Sequence, residues 1–212
     1  VLGDAQTMRS TDAGATWTKV NTGLPNEELG RIGLAISPQN PDVLYANVEA
    51  ANRRSGIYRS SDNGVSWQKM SDYSQGSMYY GDVFTDPRDF DRIYIPDVRF
   101  QVSDDGGKTL RPIPTRGMHV DNHAIWIDPT NASRQIVAHD QGLSISVNRG
   151  KTWYRQRLKN AQIYHVTVDN EIPYNVLGNK QDEPTYRGPS NSRLLGGFGG
   201  DPGIPRAMWN AV

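Results

Sequence analysis

His119, Asp121 and His123 alternate along a short stretch of this chain. In an extended backbone, positions i, i+2 and i+4 point one way, so the three side chains would converge. Imidazole and carboxylate together suit zinc or manganese. Spacing of this kind is common, however, and we expect neither a bound metal nor a cofactor. A second chemistry is the carboxylate pair of a glycosidase, two groups about 5–9.5 Å apart. Asp121 with Asp140, or with Asp182, is the candidate catalytic pair. The plainest reading is a polar, hydrated rim whose groups satisfy one another. It would bind a ligand through His119, Asp121, His123, Asp140, Gln181 and Asp182. Tyr73, Tyr79 and Tyr80 cluster in the loop before the third blade and could stack on a sugar or pack on a protein.

A repeat positions these residues. The phrase Ser-x-Asp-x-Gly-x-x-Trp, here called the box, occurs at Ser10–Trp17 and again at Ser60–Trp67. A third copy, from Ser103, ends on Leu110 in place of Trp, and a fourth, Ser146–Trp153, carries Asn148 in place of Asp. The key position therefore moves from Asp12 to Asp62, Asp105 and Asn148. Ser37-Pro38, Asp86-Pro87 and Asp128-Pro129 keep time with it, each between two apolar, β-prone runs. Two markers in fixed phase identify a true repeat.

Each unit reads strand, Pro turn, strand, short loop, strand, box turn, strand. In the clearest unit the strands are expected at 31–36, 43–49, 56–60 and 65–70. Four short strands in about 40–45 residues make one propeller blade. The fold class is thus all-β: four-stranded antiparallel blades of an incomplete β-propeller. Residues 1–183 are expected to form about four blades, the first partial. Residues 184–212, rich in Gly and Pro, are expected to form a loop leading into a further, missing blade. Innermost strands are expected at 124–127, entered through His119–His123, and at 163–168, with His165 in a core.

The box has a mechanical reading. Its Asp or Asn accepts hydrogen bonds from its own turn. The Gly (Gly14, Gly64, Gly107, Gly150) takes positive φ without steric cost. The aromatic residue (Trp17, Trp67, Trp153) packs into the blade core. Asp12, Asp62 and Asp105 are therefore assigned to structure. In such a blade, the approach to the innermost strand and the loop between strands two and three share one end, opposite the box turns. That end carries His119–His123, Asp140-Gln141 and Gln181-Asp182-Glu183.

Composition narrows the functions. Acidic and basic residues balance at 23 each, so no basic surplus points to nucleic acid. The absence of Cys excludes disulfides and thiolate metal sites. No apolar run approaches the ~20 residues that span a bilayer. Asn131-Ala132-Ser133 fits a glycosylation sequon and marks a surface turn.

The box copies resemble the Asp-box (bacterial neuraminidase, BNR) repeats of sialidases, xyloglucanase-type glycoside hydrolases and sortilin/Vps10 ectodomains. Three stretches extend the likeness: His119–Pro129, Tyr174–Asp182 with Tyr186–Ser190, and Gly203–Val212. The resemblance implies a bacterial, extracytoplasmic propeller, periplasmic or secreted, and a fragment of a longer chain. It does not confer an activity. The arginine cluster and Tyr nucleophile of sialidases are not recognisable. The paired aspartates of xyloglucanase-type enzymes lie in two separate lobes, and neither is placed by motif. The reading adopted from sequence is a non-catalytic scaffold presenting loops to a protein partner or a glycan. One variant of it is an accessory subunit docked on a membrane complex. The alternative is part of a glycoside hydrolase acting on polysaccharide.

Overall fold

The computed structural model describes residues 5–26, 28–74, 80–114, 116–155, 163–180, 185–191 and 210–211. They fall into two compact units, residues 1–156 and residues 157–212. The described residues contain strands and no helix, so none is long and apolar enough to cross a membrane.

The first unit begins with a two-stranded antiparallel ribbon, β1 (Met8–Arg9) and β2 (Thr18–Lys19). Three four-stranded sheets follow. The first holds β3 (Leu29–Ile36), β4 (Leu44–Ala50), β5 (Gly56–Ser60) and β6 (Gln68–Ser71). The second holds β7 (Phe84–Thr85), β8 (Ile93–Ile95), β9 (Gln101–Ser103) and β10 (Arg111–Pro112). The third holds β11 (Asn122–Ile127), β12 (Gln135–His139), β13 (Gly142–Ser146) and β14 (Tyr154–Arg155). Every neighbour is antiparallel and follows in chain order, which is the meander of a propeller blade.

Boundaries moved where side contacts took over. β3 starts two residues early because a bulge lets Leu29 pair with Ala50. β6 starts three residues late because the Trp67 amide donates 2.9 Å to Thr22 O, outside its own sheet.

The middle strands bury both faces, so they read as nearly continuous apolar runs. Tyr45 and Ile57 point one way, joining Val83 and, from the second sheet, Ile93 and Ile95. Ala46, Val48 and Tyr58 point the other way, onto Leu24, Leu29 and Trp67. Tyr94, Phe100, Val102 and Ile113 likewise meet Ile125, Val137 and Trp153 of the third sheet. Each large side chain buried here contributes about 1.5–3 kcal/mol.

A buried polar network adds to the apolar contact between the second and third sheets. Asp86, in the Pro turn before β8, accepts from the amides of Arg88 and Asp89, from Tyr94 Oη at 3.0 Å and from Arg149 Nη2 at 3.1 Å. Gln135 Nε2 donates to Tyr94 Oη at 2.8 Å. Burial pushes the Tyr94 hydroxyl up to about 12, so it stays a donor at neutral pH. Asp128 and Asp169 cap their own Pro turns in the same manner.

The four boxes are built alike. In the second, Asp62 Oδ1 accepts from the Ser66 amide at 2.9 Å, and Oδ2 accepts from the Ser66 hydroxyl. Ser60 Oγ donates to Asp62 and accepts from the Gly64 amide. Asp12 and Asp105 repeat these bonds with Thr16 and Thr109. At Asn148 one bond reverses, and Nδ2 donates to Thr152 Oγ1 at 2.7 Å. Two consecutive residues in each turn are left-handed: Ala13-Gly14, Asn63-Gly64, Gly106-Gly107 and Arg149-Gly150.

The expectation that all three box tryptophans are core fails at Trp17. Trp67 and Trp153 are 6 % and 7 % exposed, but Trp17 is 60 % exposed. A strap of chain covers each buried one. Gly23 lies so close to Trp67 O that a Cβ would stand 1.9 Å from it, and Gly117 would stand 2.2 Å from Trp153 O.

The second unit is one sheet of β15 (Ile163–Val168), β16 (Asn175–Lys180), β17 (Thr185–Pro189) and β18 (Asn210–Ala211). This corrects the expected loop over 184–212 at 185–189 and 210–211, while 184, 192–209 and 212 lie outside the described residues. Thr185–Pro189 is a strand paired with β16, and Asn210–Ala211 completes the same sheet. Gly188 and Pro189 suggested a turn, yet Pro is tolerated at a strand end, where Pro189 faces Asn175. His165 was expected in a core and is exposed, as are Val166 and Val168. β15 is the edge of its sheet, and an apolar run alone does not bury an edge strand.

Candidate functional site

In an antiparallel meander, the start of the first strand and the loop between strands two and three fall at one end. The Pro and box turns fall at the other. In the third sheet of the first unit the first end carries His119–Asp121 and Asp140-Gln141. In the second it carries Tyr80–Val83 and the loop 96–100.

Backbone bonds stitch these segments together. The Asp121 amide donates to Val98 O at 3.2 Å, and the Asn122 amide and side chain both donate to Asp97 O at 3.1 Å. The Asp140 amide donates to Asp121 O at 3.2 Å. Tyr80 is brought in by a close approach between Gly33 on β3 and Gly81, where a Cβ on Gly33 would stand 1.9 Å from Gly81 O.

The side chains then form a chain of contacts. Tyr80 Oη donates to Asp121 Oδ1 at 2.6 Å. The Tyr80 ring stacks on His123 with centroids 5.8 Å apart and planes at 13°. His123 Nε2 meets Asp140 Oδ1 at 2.7 Å. His123 and Asp140 side chains are 42 % and 56 % exposed, so the cluster is open to solvent. A parallel pin lies beneath, where Tyr73 Oη donates to the buried Asp97. Burial and the carboxylate partner both push the Tyr73 and Tyr80 hydroxyls up, so each stays a donor.

The cluster offers two flanking carboxylates and a stacked ring pair. Carboxylate oxygens accept hydrogen bonds from hydroxyl groups, and aromatic faces pack on apolar ligand faces.

Asp121, His123 and Asp140 are thus brought together. His119 is not in this contact chain: its Nδ1 bonds Val120 O at 2.7 Å and its ring lies 6.0 Å from that of His139. The expected alternation of His119, Asp121 and His123 breaks because Asp121 has φ +61° and β11 begins only at Asn122. Among the described residues no group of three or more His, Asp or Glu could hold a metal ion. Gln181, Asp182, Glu183 and Tyr79 lie outside the described residues. Asp12, Asp62, Asp105 and Asn148 are occupied by their own turns, at the opposite end of their hairpins. Asp97 escaped the sequence reading. The placement rule that selected Asp140, the loop between strands two and three, selects Asp97 one blade earlier.

His139 sits behind the cluster and is buried. Its Nδ1 accepts from the Gln141 amide at 3.2 Å, and its Nε2 lies 2.9 Å from Ser144 Oγ. Ser144 Oγ donates to Gly117 O at 3.0 Å. Burial, then the charges of Arg155 and His119, hold its pKa below the ordinary value.

No family model matches the chain. Over 81 residues, 35 % of this chain, it is 32 % identical to a xyloglucanase of Hypocrea jecorina and 33 % identical to the xyloglucanase Xgh74A of Acetivibrio thermocellus. The matched stretch spans 9 % of the length of each. Among solved structures, the GH74 enzyme of Niastella koreensis superposes with a TM-score of 0.65 at 12 % identity, covering 89 % of this chain and 33 % of that one. The GH74 xyloglucanase of Xanthomonas campestris gives 0.60 at 15 % identity over 99 % and 35 %. YCF48 bound to D1 peptide gives 0.58 at 12 % identity over 89 % and 60 %. These superpositions establish the fold: all-β propeller blades with open sheets, as in an incomplete propeller.

Proposed function

We propose that this chain is part of a xyloglucanase-like glycoside hydrolase, and that the blade end carrying Tyr80, Asp121, His123 and Asp140 binds polysaccharide. The observation that carries the reading is the identity above 30 % with xyloglucanases over 81 residues. The cluster supplies what a neutral glycan needs, acceptors for its hydroxyls beside a ring pair. Asp121 and Asp140 are the candidate carboxylates for hydrolysis, with Asp182 a third. A polysaccharide substrate goes with an extracytoplasmic setting, periplasmic or secreted.

Titration of the chain with xyloglucan oligosaccharides, beside cello-oligosaccharides and dextran, tests binding. Selective binding lost in Tyr80→Ala and Asp140→Ala is the expected result. No heat or shift with any glucan would end the reading. Release of reducing ends that vanishes in Asp121→Asn would assign hydrolysis.

The non-catalytic reading keeps one observation on its side. Both carboxylates already have partners, Asp121 with Tyr80 and Asp140 with His123. Binding without any turnover would favour it, with a glycan or a protein as the ligand. A D1 peptide is the ligand of the YCF48 structure, and a stoichiometric protein captured from native membranes would favour the protein form.

A further inference from the structure

The bonds around His139 fix its proton. A backbone N–H can only donate, so Nδ1, which receives the Gln141 amide, carries no hydrogen. The hydrogen of the neutral ring is therefore on Nε2 and points at Ser144 Oγ. Ser144 passes its own hydrogen to Gly117 O. Every donor in this line has one acceptor. Adding a proton at Nδ1 would set two N–H groups face to face and remove the Gln141 bond.

Gln141 is the second residue of the tight turn between His139 and Gly142, and Asp140 is the first. Beyond the ladder pair of His139 with Gly142, the turn is held by the Asp140 amide to Asp121 O, the Gln141 amide to His139, and Arg155 Nη2 to Gln141 O at 3.4 Å. The same turn presents Asp140 to His123.

We propose that neutral His139 is the positioning residue for Asp140, and that protonating it releases the turn and loosens the binding cluster. This rests on the glycan-binding reading above for its functional consequence, though not for the structural one. The charged and titratable groups facing the ring are Arg155 on β14, His119 before β11 and Asp140 in the turn. The first two disfavour a second cation and Asp140 favours it. Burial depresses the folded value below the 6.5 of a free imidazole. The neutral form therefore stabilises the fold above that pH, and the contribution is lost as pH falls from it towards the folded value. His123, whose Nε2 meets Asp140 Oδ1, is a second imidazole in the same cluster. Only a His139 variant separates the two.

The experiment is an NMR titration of the full chain, following the His139 imidazole nitrogens and the Gln141 amide. In the wild type, the ring should show the Nε2–H tautomer at neutral pH. The Gln141 amide should shift and lose exchange protection with the midpoint of His139. His139→Asn keeps an acceptor near the Nδ1 position without titrating, so its Gln141 amide should stay still. Xyloglucan oligosaccharide binding should weaken about tenfold across that midpoint in the wild type, the worth of one lost hydrogen bond, and hold in His139→Asn. An Nδ1–H tautomer, or a Gln141 amide indifferent to His139 titration, would overturn the proposal even if the variant fails to fold. A coupled titration with no glucan binding at any pH would leave the turn device standing and remove the glycan reading alone.

Discussion

The rings of Tyr80 and His123 lie parallel, 5.8 Å apart between centroids, while each holds a different carboxylate. Tyr80 comes from the approach to the second sheet and His123 from the start of the third, so the pair locks two blades at their shared end. Tyr80→Phe keeps the stack and removes the bond to Asp121. It should cost about 1 kcal/mol in urea unfolding, the net value of one hydrogen bond. Tyr80→Ala also removes the stack and should cost about 1 kcal/mol more. Equal losses in the two variants would mean that the stack contributes nothing.

Burial separates the three box tryptophans. Trp67→Ala and Trp153→Ala should each cost about 3–5 kcal/mol, the range for emptying a large aromatic site in a core. Trp17→Ala should stay below about 1 kcal/mol, because most of its surface is already in water. Denaturant midpoints of the three variants check the order. A Trp17 loss as large as that of Trp67 would show that its indole is covered in solution.

The repeat was legible because its determinants are local. A Ser-x-Asp-x-Gly turn closes within seven residues, so spacing alone located all four hairpins. The Asn148 copy shows why Asp is not obligatory: the turn needs an oxygen acceptor at Oδ1, and an amide supplies one. What spacing could not show is non-local. The burial of Trp67 depends on Thr22–Leu24, over forty residues earlier in sequence. Tyr80 meets Asp121 only because Gly33 on a different sheet admits Gly81. The left-handed backbone at Asp121 turns it away from the alternation with His119 and His123, and Asp tolerates that conformation without requiring it. Pro189 misled for the converse reason, since a breaker at a strand end breaks nothing.

Glycine has two different jobs in this fold, and substitution distinguishes them. Gly14 needs its φ of +91°, but a Cβ there would meet only Trp17 at 3.8 Å. Gly14→Ala should therefore cost about 1 kcal/mol of backbone strain. Gly23 has φ +87°, and its Cβ would also collide with Trp67 O at 1.9 Å. Gly23→Ala adds overpacking to strain and should cost about 3 kcal/mol or more. Thermal unfolding of the pair is sufficient to rank them, and equal losses would contradict the close approach.

The box carboxylates make a prediction about acid. Hydrogen bonds from the Ser66 hydroxyl and amide, and from Ser60, hold Asp62 at about 2, and Thr16 and Ser10 do the same for Asp12. A folded value below the unfolded one means that the unfolded chain takes up the proton first. The stabilisation is thus complete above the ordinary carboxylate value of 3.8 and is lost as pH falls from there to about 2. Asn148 makes the equivalent turn with no titrating group. Asp62→Asn should copy it: the fold stands at neutral pH, and the slope of stability against pH between about 4 and 2 becomes shallower. Urea midpoints across that range provide the measurement. An unchanged slope would mean that the Asp62 carboxyl is not held ionised by its turn. Asp62→Ala removes the acceptor itself and should weaken the fold at every pH, which separates the loss of a charge from the loss of a hairpin.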